Sequence, residues 1–150
     1  MSNSLRKGKA FEREIAKLLT KTFKVKFYRV PMSGAFQTQK NTRNPVFKGD
    51  VFTEDKKWNK RFNTIIECKR VKRLPRLDLN DYKSGFDFLS KNLIHKWIEQ
   101  CIFEAGRKNF WLIMKEDYKP PIIIRGYNHK GVFILTLPDN LKDYLERIVR

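Results

Sequence analysis

Two cysteines in 150 residues are too few for a disulfide scaffold, and Cys68 and Cys101 stand at no zinc-ligand spacing from each other, His95 or His129. They read as reduced thiols of an intracellular, cytoplasmic protein. No apolar run approaches membrane-spanning length, and the basic stretch Met1 to Lys9 leads into a charged helix rather than a signal-peptide apolar region. Membrane association is therefore not expected. The glycines form neither a phosphate-cradling loop nor a dinucleotide-binding pattern, and no repeat or low-complexity tract occurs. Acidic side chains are scarce as well: sixteen Asp and Glu against thirty-three Lys and Arg leave a net charge of +17 at pH 7. Solubility does not need so large an imbalance, which points to a polyanionic partner, nucleic acid first.

What is present is enough for a core. With 41% hydrophobic and 13% aromatic residues, a chain of this length buries apolar surface without help from disulfides or structural metal, and one domain is expected. The informative stretch is 46–70. Val46-Phe47-Lys48-Gly49-Asp50-Val51-Phe52 leads, through polar residues, to Thr64-Ile65-Ile66-Glu67-Cys68-Lys69-Arg70. The second segment is apolar and β-branched, so it reads as a strand in which Glu67 and Lys69, two apart, project from one face. A carboxylate and an ammonium at the end of a buried strand are costly to bury, and Asp50, which enters the preceding strand after a glycine, can complete the group. Chemistry is one reason to accept that cost.

Along the chain, residues 10–22 place Phe11, Ile15, Leu18 and Leu19 at helical spacing, with Glu12 at the edge of the stripe and Glu14 at the opposite edge. Spacing alone leaves both as ordinary surface carboxylates or as site residues. Val25 to Val30 reads as a strand ended by Pro31, and Met32 to Pro45 as a long polar loop whose Lys40 and Arg43 suit a sugar-phosphate backbone. Val51 to Thr53 is a strand. Glu54 to Asn63 reads as a polar hairpin tip, which makes the flanking strands antiparallel and brings Asp50 to the Glu67–Lys69 end. Arg70, Lys72, Arg73 and Arg76 continue from there, placing positive charge where a phosphate chain would approach. Residues 76–91 are ambiguous. Asn92 to Arg107 forms a second helix stopped near Gly106, with Glu99 or Gln100 available to the site or simply exposed. Phe110 to Met114, Ile122 to Arg125 and Val132 to Thr136 are further strands, and Pro138 introduces a last helix carrying Leu141, Tyr144, Leu145 and Ile148. The sum is an α/β fold, a mixed sheet flanked by helices.

Arg6-Lys7-Gly8, Glu12-Arg13-Glu14, Arg29-x-Pro31-x-Ser33-Gly34, Gly49-Asp50-Val51 and Ile66-Glu67-Cys68-Lys69 form an ordered series over residues 6–70. It resembles the PD-(D/E)XK nuclease superfamily, and within it archaeal-type Holliday junction resolvases and their phage-encoded relatives. The resemblance implies a restriction-endonuclease-like core, with Glu12, Asp50 and Glu67 as acidic site residues and Lys69 as the site cation. Ser33 would lie in a loop near the scissile strand. It implies Mg2+, with Mn2+ able to substitute, held by Asp50, Glu67, the Cys68 backbone carbonyl and, for a second ion or its water, Glu12. Hard cations prefer such oxygen ligands. Candidate DNA contacts are Arg6, Lys7, Lys9, Arg29, Ser33, Lys40, Arg43, Lys48, Arg70, Lys72, Arg73 and Arg76. A homodimer is also implied. The expected activity is endonucleolytic hydrolysis of DNA at four-way or other branched structures. A sequence-specific homing or restriction-type enzyme shares the same site chemistry, and a non-catalytic basic nucleic-acid-binding protein shares the charge.

Overall fold

A computed structural model describes residues 2–31, 48–75 and 93–150. The polar loop with Ser33, Lys40 and Arg43, and the stretch 76–91 with Arg76, lie outside the described residues.

Helix α1 (Asn3–Phe23) begins earlier than its apolar stripe because Ser2 caps it, the hydroxyl accepting the Leu5 N–H. Lys24, in the left-handed region, ends it by donating its N–H to the Thr20 carbonyl. Strands β1 (Phe27–Arg29), β2 (Val51–Thr53), β3 (Thr64–Val71), β4 (Asn109–Glu116), β5 (Ile122–His129) and β6 (Val132–Leu135) pair in chain order, with the short β7 (Asp139–Asn140) also on β5. The sheet is mixed. Among the described strands only β3 and β4 run parallel, in register from Thr64↔Asn109 to Val71↔Glu116, and the other pairings are antiparallel.

The segment expected as a hairpin tip is instead helix α2 (Lys56–Phe62). Its polar residues are caps: Asp55 Oδ1 accepts the Trp58 N–H at 2.8 Å, and Asn63 adopts the left-handed conformation that closes the last turn. Trp58 and Phe62 are four apart and so share a helix face, with ring centroids 4.7 Å apart. Both rings join Phe23 and Trp111 in an aromatic cluster. The antiparallel relation of β2 and β3 survives the correction, Val51 facing Ile66. Helix α3 (Leu93–Ala105) stops at Gly106, whose φ of 60° suits a position after a helix end. Helix α4 (Leu141–Ile148) is capped by Asn140 rather than opened by Pro138.

The two faces of the sheet carry separate cores. On one, Phe11, Ile15 and Leu19 of α1, Trp58 of α2 and Leu141 and Leu145 of α4 pack on Val51, Ile66, Cys68 and Trp111. On the other, Ile94, Ile98 and Cys101 of α3 cover Ile65, Phe110, Leu112 and Met114. Strand alternation therefore places Tyr28, Phe52, Ile65, Glu67 and Lys69 on the α3 face.

Candidate active site

Asp50 is placed by backbone before it is placed by side chain. Gly49 has φ 82°, and a Cβ there would stand 2.5 Å from the Ile66 carbonyl oxygen, so only glycine lets the chain approach β3 this closely. The Asp50 N–H then donates to the Ile66 carbonyl at 2.8 Å, and the Asp50 carbonyl accepts the Val30 N–H at 2.8 Å. Its Oδ2 accepts the Cys68 N–H at 2.9 Å. The carboxylate thus fills the next rung of the ladder between β2 and β3.

Glu67 is 2% exposed under α3. Burial first, then a hydrogen bond with Glu104 and the charges of Asp50 and Glu104, push its carboxyl up to about 11 against the opposing pull of Lys69. Two carboxyls hydrogen-bond only with a proton between them. Lys69 Nζ donates to Gln100 Oε1 at 3.2 Å, and Gln100 Nε2 donates to Glu104 Oε1 at 3.2 Å. Two β3 side chains and two α3 side chains are therefore joined in a chain of polar contacts, from Lys69 through Gln100 and Glu104 to Glu67.

Glu12 comes from the other face, buried on α1, where Arg29 Nε donates to its Oε2 at 2.5 Å. Burial, then the charge of Asp50, raise its carboxyl, while Arg29 and Lys69 lower it. The four residues Glu12, Asp50, Glu67 and Lys69 are thus one electrostatically coupled group. Cys68 and Cys101 are buried free thiols, both pushed well up by burial, and neither is suited to thiolate chemistry.

The candidate DNA contacts divide. Arg29 is engaged by Glu12, and Lys7 Nζ and Arg70 Nε both donate to Asp117, at 2.8 and 3.0 Å. Arg6, Lys72 and Arg73 are exposed, Lys9 and Lys48 half-buried.

A family model described as "Phage putative PDDEXK endonuclease" matches residues 3–144. The chain belongs to this family. No curated protein and no solved structure matches the chain. The matched residues include Asp50 and the run Glu67-Cys68-Lys69. The residue before Asp50 is Gly49, and the close approach to Ile66 explains the glycine.

PD-(D/E)XK nucleases generally use divalent metals. Among the described residues, no three His, Cys, Asp or Glu side chains converge as a metal-holding cluster. Magnesium needs fewer: it keeps several waters and binds through one or two carboxylates. The chemistry of the donors fits such an ion, since the paired Glu67 and Glu104 carboxyls hold a proton where a cation could replace it, and Asp50 adds charge nearby.

Sequence reasoning left Gln100 open and missed Glu104. The signal was present, because Glu104 falls three after Cys101 and seven after Trp97, on the buried stripe of α3, where an acidic residue is out of place. No helix among the described residues is long and apolar enough to cross a membrane.

Proposed function

We propose that this phage PDDEXK endonuclease hydrolyses phosphodiester bonds in branched DNA, four-way junctions first, as a homodimer using Mg2+, with Mn2+ as substitute. The observation that carries the chemistry is that Asp50, just before β2, bonds to β3 beside Glu67, with Lys69 two residues beyond on the Glu67 face. Branched DNA is favoured by the resemblance of the Gly8-x-x-x-Glu12 helix and Ser33 loop to junction resolvases, together with the +17 charge. A dimer with two-fold symmetry suits paired cuts.

Asp50, Glu67 and the Cys68 carbonyl would hold the cation, with Glu12 beside them for a second ion or its water. When bound, the ion supplies Lewis-acid polarisation of a phosphoryl oxygen and a lowered pKa for water. The chain's own groups do the rest. Lys69, held by Gln100, presents a positive charge to the negative charge that develops on phosphorus-bound oxygen, or orients the attacking water. Gln100 also fixes Glu104 and so the orientation of Glu67. Arg29 keeps the Glu12 carboxylate from swinging away.

The test is cleavage of end-labelled four-way junction, linear duplex and single-stranded DNA with Mg2+ or EDTA, by wild type, Asp50→Ala and Lys69→Ala. Metal-dependent paired nicks near the branch point, lost in both variants, support the proposal. Cutting of linear duplex at one sequence selects the restriction or homing type of activity. Binding without any strand break, unaffected by Asp50→Ala, leaves a binding protein. Light scattering that finds only monomer, with and without junction DNA, would remove the dimer.

A further inference from the structure

Helix α3 turns its apolar stripe to the sheet, so the residues opposite that stripe face outward. Lys96, Gln100 and Phe103 stand there at i, i+4 and i+7, in one row along the helix, and all three are exposed. Gln100 ties this row to the site, because its Oε1 accepts from Lys69 Nζ at 3.2 Å. Phe103 is the unusual member. Its ring is 88% exposed, which leaves nearly all of its apolar surface in water. One exposed apolar residue is ordinary on a protein surface, but this one follows Gln100 by three residues, about 4.5 Å along the helix axis. DNA rises about 3.4 Å per base step, so the ring stands about one step from a phosphate at Lys69. Cations flank it on both sides: Lys96 is about 10 Å back along the row, and Arg107 is exposed in the turn beyond the helix end. Glu99 lies at the edge of the row, and Glu104 is turned to Gln100 and Glu67.

We infer that this row of α3 is a DNA-contact surface continuous with the site, with Phe103 as an apolar wedge that stacks on a base at the step next to the cut, and Lys96 and Arg107 on the flanking phosphates. The choice of DNA rests on the nuclease reading above, on the positive charge at both ends of the row and on its contact with Lys69. An apolar side chain enters a base step only by unstacking it, and that cost is least where pairing is already broken. In a continuous duplex the ring meets closed stacks and only the cations act. Phe103 thereby turns a general phosphate surface into one that favours branched or unpaired DNA beside the scissile bond.

The experiment is fluorescence anisotropy in EDTA, where no strand is cut, with a labelled four-way junction and a labelled linear duplex, comparing wild type with Phe103→Ala. Because the ring is exposed, the variant should melt with wild type. Junction affinity should fall by about 5-fold to 150-fold, duplex affinity should hold, and Phe103→Trp should restore the loss. Lys96→Gln with Arg107→Gln should reduce the salt slope by about 1.8 on both substrates. Equal losses on junction and duplex, no loss on either, or an unchanged salt slope in the double variant would overturn the inference. So would a dimer that dissociates in Phe103→Ala, which would make the ring a contact between copies. Failure of the nuclease reading is seen separately, as absence of Mg2+-dependent cleavage by wild type, and leaves the binding comparison intact.

Discussion

Glu67→Gln should make the metal-free protein more stable at alkaline pH while abolishing cleavage. The folded protein holds the Glu67 carboxyl well above the ordinary glutamate value of 4.5, so the folded state keeps a proton that the unfolded chain releases. Folding then takes up a proton, and stability falls as pH rises between the ordinary value and about 11. Each pH unit inside that window costs about 1.4 kcal/mol at most. From about pH 5 to about pH 8 the upper limit is about 4 kcal/mol, and side-chain rearrangement and water entry bring the expected effect nearer about 2 kcal/mol. Glutamine keeps the shape and a hydrogen-bonding amide but has no proton to lose. The assay is urea denaturation in EDTA across that range for both proteins. Glu12 is raised too, but it is common to both and cancels in the difference. Wild type should lose stability relative to Glu67→Gln as pH rises, and Mg2+ or Ca2+ added at the alkaline end should restore wild type while leaving the variant nearly unmoved. Parallel pH profiles for the two proteins would refute the reasoning that Glu67 carries a buried proton.

Gly49→Ala places a Cβ against the Ile66 carbonyl at a positive φ, and should cost about 2 kcal/mol or more in chemical denaturation and displace Asp50 enough to abolish cleavage. A variant as stable and active as wild type would show that the approach to β3 is not required. Trp58→Ala removes the centre of the aromatic cluster and should cost about 3 to 5 kcal/mol, read from the denaturation midpoint. Asp117→Asn releases Lys7 and Arg70 from a carboxylate that both cations hold below its ordinary pKa. DNA affinity should rise and its salt dependence steepen; weaker binding in a salt titration would mean that Asp117 positions these cations rather than occupying them.

The fold was legible where periodicity was strong. Phe11, Ile15 and Leu19 announced α1, and the alternation through Ile65, Glu67 and Lys69 put the carboxylate and the ammonium on one face of β3, as the structure has them. Glu54 to Asn63 misled because its charged residues look like a turn, whereas Asp55 and Asn63 are helix caps and the two aromatics are spaced for a helix. Two-residue β7 has no pattern to read. At the site, Asp50 could be placed from its glycine and the return of the chain, since both are local. The contacts of Lys69 with Gln100 and of Gln100 with Glu104 could not, although Glu104 stands out on its stripe, because they depend on which α3 residue lands over Lys69, a matter of tertiary packing across distant sequence. The engagement of Lys7, Arg29 and Arg70 by acids was hidden for the same reason.

The parallel pairing of β3 with β4 bears on when the protein becomes active. Strand β3 carries Glu67 and Lys69, yet its whole length is paired with residues from Asn109 to Glu116, and the helix that seats Lys69 also lies downstream of it. Such distant partners must find each other before the strand is held, which makes this step slow compared with local hairpins. A nascent chain therefore cannot assemble the site while only its first half has been made, although Glu12, Asp50, Glu67 and Lys69 are all already synthesised. Folding and the capacity to cut should arise together, in the same late step.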